Sequence, residues 1–205
     1  MDTTDITTED RIKDAARKLF QQKGYAGTRT RDIAEAAGIN LALLNYYYRS
    51  KEKLFEQIMD ESVKKIFFSV QSIIYDEATS LMQKMENIVS VYIEILSENS
   101  NLPVFILGEI QANPESFTKR IGLSADFVMQ TVLYRQLKTH FETNELKHLD
   151  SLQIPLNLLS MIIFPFVVKP VLLNISGMNE NQFEQFTKDR KTLIPLWIES
   201  MLKIE

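Results

Sequence analysis

The chain has 205 residues, 45% of them hydrophobic and 24% charged, with a formal net charge of −4. That composition fits one or two globular domains with enough apolar material for a core of their own. The absence of cysteine excludes disulfides and thiolate metal sites and suits the cytoplasm. The polar, acidic stretch from Met1 to Asp10 lacks the apolar segment of a secretory signal.

In chain order, the first helix starts at Thr7 or Thr8, whose hydroxyls can accept from free backbone N–H groups, with Glu9 and Asp10 at the positive end of the dipole. Ile12, Ala15, Ala16, Leu19 and Phe20 fall on one stripe, and Gly24 supplies a left-handed ending. A short second helix from Thr30 buries Ile33, Ala34 and Ala37, Gly38 makes a tight turn, and a third helix spans about 40–47. A longer fourth helix begins at Ser50 and turns Leu54, Phe55, Ile58 and Met59 inward. Five more are expected at roughly 79–98, 103–112, 116–144, 154–176 and 180–203, with a possible break at Gly122, kinks at Pro165 and Pro170, and an interruption at Pro195. No run alternates at period two long enough for a sheet, so the fold class is all-α.

Charge is unevenly spread. Arg11 to Lys53 holds ten Lys or Arg and four acids, a local charge of +6, against −10 for the remainder. Such a basic head fits contact with phosphates, and equally a solvated basic surface or docking to an acidic protein partner.

The most informative stretch runs from Thr28 to Glu52: short helix, glycine turn, short helix. Ala34 and Ala37 allow a close crossing, while Ile39, Leu44 and Tyr48 anchor the second helix to the core. The opposite face carries Asn40, Leu41, Ala42, Asn45 and Tyr46, free to enter a major groove about 12 Å wide. Asn amides can meet adenine edges, and Ala or Leu a thymine methyl. Arg29, Thr30 and Arg31 cluster at one helix start, and Tyr47 and Lys51 follow the third helix. These residues suit phosphate contacts, which set register without reading sequence. Tyr48, four residues after Leu44, reads as core.

Residues from about Thr8 to Ile58 resemble the DNA-binding domain of the TetR family of transcriptional regulators. The resemblance rests on Ala16-x-x-Leu19-Phe20 with Gly24-Tyr25, on Thr28-x-Thr-Arg-Asp-Ile-Ala-x-x-Ala-Gly38-Ile39, and on Leu44-x-Tyr-Tyr-Tyr-x-Ser-Lys51-Glu-x-Leu54-Phe55. It implies that Thr30, Tyr47 and Lys51 hold phosphates and that residues 40–46 face bases. Departures from the family pattern fall at Asn40, Leu41, Asn45, Tyr47 and Tyr48. They bear on which operator is read, not on the fold.

The resemblance further implies residues 1–52 as a helix-turn-helix domain and 53–205 as a helical ligand-binding and dimerisation domain. It points to a homodimer, usually a repressor, on a pseudo-palindromic double-stranded DNA operator, released by a small-molecule effector. Dimer helices are expected on roughly Leu156 to Leu173 and Phe183 to Leu202. Candidate effector contacts are Tyr92, Phe105, Phe127, Met129, Tyr134, Met161 and Phe164, each of which also fits plain core, with Glu109 an acid in an otherwise apolar helix that can form an ordinary ion pair, cap a neighbouring group or meet a cationic ligand. A ligand-independent regulator or an activator is an alternative. The 18-residue uncharged run from Ser151 to Val168 reads as a core or dimer helix rather than a membrane span. No phosphate loop, nucleophile elbow or metal-ligand spacing is present, so neither enzyme, metal nor cofactor is expected. His140 and His148 read as surface residues.

Overall fold

The computed structural model describes residues 7–122, 125–143 and 150–203. Twelve helices and no strand occur among the described residues. They are α1 (Thr8–Gly27), α2 (Thr30–Ala36), α3 (Leu41–Tyr47), α4 (Lys51–Tyr75), α5 (Leu81–Glu98), α6 (Leu102–Ala112), α7 (Pro114–Ile121), α8 (Ala125–Met129), α9 (Val132–Thr143), α10 (Gln153–Val167), α11 (Lys169–Ser176) and α12 (Glu180–Leu202). The fold is all-α, as the sequence predicts. His148 lies outside the described residues.

The chain divides into two compact units. The first runs through the head to Lys64 and takes in Val104–Arg120, and the second comprises Lys65–Pro103 and the chain from Ile121 onward. In the first unit α1 begins with a reciprocal cap. Thr7 accepts from the Asp10 backbone N–H, and the Asp10 carboxylate accepts from that of Thr7. Ile12, Ala16 and Phe20 are buried beside Ile33, Leu44, Leu54 and Ile58. The two short helices cannot persist alone and are held by this shared core. Gly24 interrupts α1 with φ +69° and ψ 175°, a conformation open to glycine rather than the ordinary left-handed cap. Thr28 closes the break: its buried hydroxyl donates to the carbonyls of Gly24 at 2.8 Å and Leu19 at 3.2 Å.

The second unit is built around α5, which packs on α9, α10 and α12. Its buried face of Met85, Ile88, Val89, Ile93 and Leu96 meets a core that draws Leu158, Ile162 and Phe166 from α10 and Ile194, Ile198 and Leu202 from α12. These fours and threes in the sequence are the apolar stripes of helices with one face in a core. Each such side chain fully buried stabilises the fold by about 1.5–3 kcal/mol. Lys84 is also buried, and its ammonium donates to the Thr79 carbonyl at 2.7 Å and hydroxyl at 2.8 Å.

Beyond Gly24, which interrupts α1 rather than ending it, three expectations change. The single helix expected at 116–144 is three, α7 to α9. Gly122 has φ +62°, and Thr131 accepts from the Tyr134 backbone N–H at 3.1 Å, a cap that starts α9 afresh. The expected 154–176 helix breaks at Val168, and α10 and α11 meet at a bend of 63°. Pro170, without an N–H, enters the first turn of α11, where none is needed. Pro195 does not interrupt α12, which runs on to Leu202 with Pro195 buried between Ile194 and Ile198. The burial of its neighbours outweighs the one missing backbone bond. No single helix among the described residues is long and apolar enough to cross a membrane; α10 and α11 pass only as a bent pair.

Candidate nucleic-acid interface

Helix α3 is presented by what lies beneath it. Leu44 and Tyr48 are buried on its inner side. The Tyr48 hydroxyl donates to Glu9 at 3.4 Å, and burial followed by the Glu9 charge pushes that phenol well above its ordinary range. Gly38, at φ +67°, lets the chain turn so that Ile39 N–H reaches the Ala34 carbonyl at 3.0 Å. Asn40 caps α3, its side-chain oxygen accepting from the Leu43 N–H at 2.8 Å. The cap uses the acceptor and leaves the Asn40 amide nitrogen as the group able to meet a base or phosphate.

The outer side carries the predicted reading face. Asn40, Ala42, Asn45 and Tyr46 are exposed, Tyr46 at 80%, and Leu41 is half-buried. Tyr46 and Tyr47 stand edge to face, ring centres 5.5 Å apart, so each limits the other's rotamers. Exposed Arg29 and Arg31 flank Thr30 at the first turn of α2. Neither arginine has an ion-pair partner among the described residues. Lys13 and Arg17 do: both reach Glu61 on α4, at 3.3 and 2.7 Å. The head's charge count therefore mixes cations that bind α1 to α4 with cations left facing solvent, a distinction counting cannot make.

Lys51 has a place the sequence does not reveal. Its ammonium donates to the carbonyls of Tyr25 at 2.8 Å and Thr28 at 3.0 Å, and lies 3.9 Å from the centre of the Tyr25 ring. It thus caps the negative end of α1 from the start of α4, a favourable position for a cation. Its two neighbours Tyr25 and Thr28 belong to the same motif, so the signal was present as three co-occurring residues without their contacts.

A model of the family described as bacterial regulatory proteins, tetR family, matches residues 12–58, the same span that builds this head. Full-length relatives carry the likeness beyond it. The chain is 25% identical over 97% of its length, and 95% of the other's, to the probable HTH-type transcriptional regulator YttP of Bacillus subtilis (strain 168). The head, residues 12–58, is a DNA-binding domain of the TetR family. A second relative, at 24% identity over 93% of this chain and 98% of its own, is the biofilm operon icaADBC HTH-type negative transcriptional regulator IcaR of Staphylococcus aureus (strain Newman). The TetR family regulator PfmR from Thermus thermophilus shares the fold, with a TM-score of 0.64, 23% identity, and coverage of 90% of this chain and 97% of that one.

The eight candidate effector contacts do not gather in one place. Phe105 and Glu109 line a cavity of about 490 Å³ within the first unit, together with Phe20, Tyr25 and Phe55. The other six belong to the second unit. There Phe127 packs on Phe67 and Tyr75, at 5.3 and 5.9 Å. Tyr134 is half-buried on α9. Met161, half-buried, offers its carbonyl to Arg190 at 2.8 Å. Met129 and Phe164 are exposed, Phe164 at 62%. Burial pushes the Tyr92 phenol up to about 12 from its ordinary 10. A raised phenol favours folding while it stays protonated, so its contribution is intact below about pH 10. It is lost between about pH 10 and 12 as the unfolded chain ionises first. Thermal melts across that range should fall less steeply for Tyr92→Phe than for the parent; equal slopes would mean that Tyr92 is solvated.

Proposed function

We propose that the protein is a homodimeric, sequence-specific DNA-binding repressor, acting in the cytoplasm as a regulator rather than an enzyme, and released from its operator by a small molecule. The observation that carries this reading is the exposed outer face of α3, from Asn40 to Tyr46, standing on a buried Leu44–Tyr48 foundation. A helix presented in this way fits a major groove. Asn40, Leu41, Ala42, Asn45 and Tyr46 would read bases, and Arg29, Thr30, Arg31, Tyr47 and Lys51 would meet phosphates. Repression is supported by the negative regulator among the relatives. Residues 1–52 serve DNA in this reading, and 53–205 serve dimerisation and the effector.

Pairing is supported by the second unit's unburied apolar side chains. On α10, Leu156 and Phe164 are 61% and 62% exposed, eight residues apart with Ser160 between them on the same stripe. On α12, Leu193, Leu196 and Trp197 are exposed at matching spacing. Contiguous apolar exposure on a monomer marks an interaction surface. Arg190 braces the two helices, donating from α12 to the Met161 carbonyl on α10 and lying 5.3 Å from the Trp197 ring. Two paired heads would grip half-sites about one helical turn apart, or a multiple of it. An effector that favours an arrangement unable to span them would shift the population off DNA.

Footprinting on the chain's own promoter region tests the reading. A protected pseudo-palindrome surviving competitor DNA at moderate salt is expected, and uniform coverage without preference would count against it. Asn45→Ala should relax preference at one base pair by about 1–3 kcal/mol, while Tyr47→Phe should weaken all sequences alike. Lys51→Ala should do the same and lower the melting temperature as well, because its ammonium also caps α1. A loss of affinity without a loss of stability would assign Lys51 to phosphate alone.

A further inference from the structure

The cavity in the first unit has a chemistry of its own. Its volume of about 490 Å³ lies in the range of small-molecule sites. Its aromatic walls are Phe20 and Tyr25 from α1, Phe55 from α4 and Phe105 from α6, with Phe55 edge-on to each of the others at 4.9–5.5 Å. Among the described residues, the carboxylates of Glu52, Glu56 and Glu109 line it and no Lys, Arg or His does. The Lys51 ammonium covers Tyr25 but is not part of the lining.

Two further observations point to an occupant. Glu109 is only 7% exposed, and among the described residues the one side-chain hydrogen bond to its carboxylate is a long one, 3.4 Å from the Asn113 amide on the next turn. No cation pairs with it among the described residues, although burial of an unpaired carboxylate is costly. Gly108, one residue before it, lies inside α6, where glycine weakens a helix. No close packing requires it there, since an added Cβ would meet nothing within 4 Å. The glycine keeps the wall of the cavity clear.

We propose that this cavity binds an organic cation with an apolar body, held by the Glu109 carboxylate and the aromatic rings. Aromatic faces attract cations, and the Glu52 and Glu109 carboxylates disfavour fatty acids, nucleotides and other anions. The inference rests on the effector reading above and deepens it by naming the ligand class, while extending the effector's contacts to Phe20, Tyr25 and Glu52 of the head. It stands or falls on binding, whereas that reading stands or falls on release from DNA.

Calorimetric titration of the full-length chain with benzyltrimethylammonium, beside its neutral carbon isostere neopentylbenzene, tests it. Saturable binding of the cation is expected, with the isostere at least tenfold weaker. Glu109→Gln keeps the size and the Asn113 contact, and should weaken cation binding at least tenfold. If that variant fails to fold, Glu52→Gln, on the exposed first turn of α4, should still weaken binding severalfold. Gly108→Leu should raise the melting temperature and abolish binding, a combination a merely structural role would not give. Glu199→Gln, on α12, should bind as the parent does. The proposal is overturned by absence of saturation up to millimolar cation, by equal binding of the isostere, or by undiminished binding to the folded Glu109 or Gly108 variant. Cation binding that leaves DNA affinity unchanged would sustain the site and remove only its role as an effector site.

Discussion

Leu196→Asp should turn the proposed dimer into a monomer and lower operator affinity by a factor of about 10² to 10⁴. Leu196 is 52% exposed on α12, so the substitution disturbs little within one chain, and far-UV circular dichroism should be unchanged. Across a twofold interface the same carboxylate would meet apolar surface and a copy of itself, where burial of unpaired charge is strongly unfavourable. The affinity falls because two linked heads bind as one. Once the first head is seated, the second acts at a high effective concentration, and a lone head loses that gain of about 10²–10⁴. Light scattering reads the mass and gel shifts read the affinity. A variant that remains dimeric places the interface elsewhere, and a parent that is monomeric at micromolar concentration removes the proposed mode of DNA binding.

Phe20→Ala should destabilise the head by about 3–5 kcal/mol, the usual cost of emptying a large buried aromatic site. Phe20 is 1% exposed, stacks on Tyr25 at 6.2 Å and meets Phe55 edge-on at 5.1 Å. Neither neighbour can refill the space cheaply. Tyr25 is held beneath the Lys51 ammonium, and Phe55 is already engaged with Phe105. Against a total stability of about 5–15 kcal/mol for a domain, this loss should unfold a substantial fraction of the head and reduce DNA binding with it. Urea unfolding followed by circular dichroism measures the change. A loss below about 1 kcal/mol would mean that the surrounding rings collapse into the void.

The head was legible in the sequence because its information is local. Thr7 and Asp10 cap each other across three residues, Ile39 closes the glycine turn on Ala34 across five, and the stripe from Ile12 to Phe20 repeats at helical spacing. The same local signals placed Asn45 and Tyr46 on an outer face and Leu44 and Tyr48 on an inner one. Longer apolar stretches were less legible. A run such as Leu156 to Val168 is compatible with core, with a dimer face or with both, because periodicity records burial but not the burying partner.

Residue order and spacing alone determined the all-α class, the helix-turn-helix and which face of its second helix, α3, is exposed. Only the tertiary structure decided that Lys51 closes α1, that Glu61 holds Lys13 and Arg17, that Phe105 and Glu109 share a cavity with α1 and α4, and that Phe164 faces solvent. These outcomes join residues tens of positions apart, whose distance depends on how every intervening helix packs. The physical reason is that helix formation and capping are decided within a turn or two of chain, whereas the pairing of a charge or the filling of a cavity is decided by whichever distant side chain the fold brings within a few ångströms.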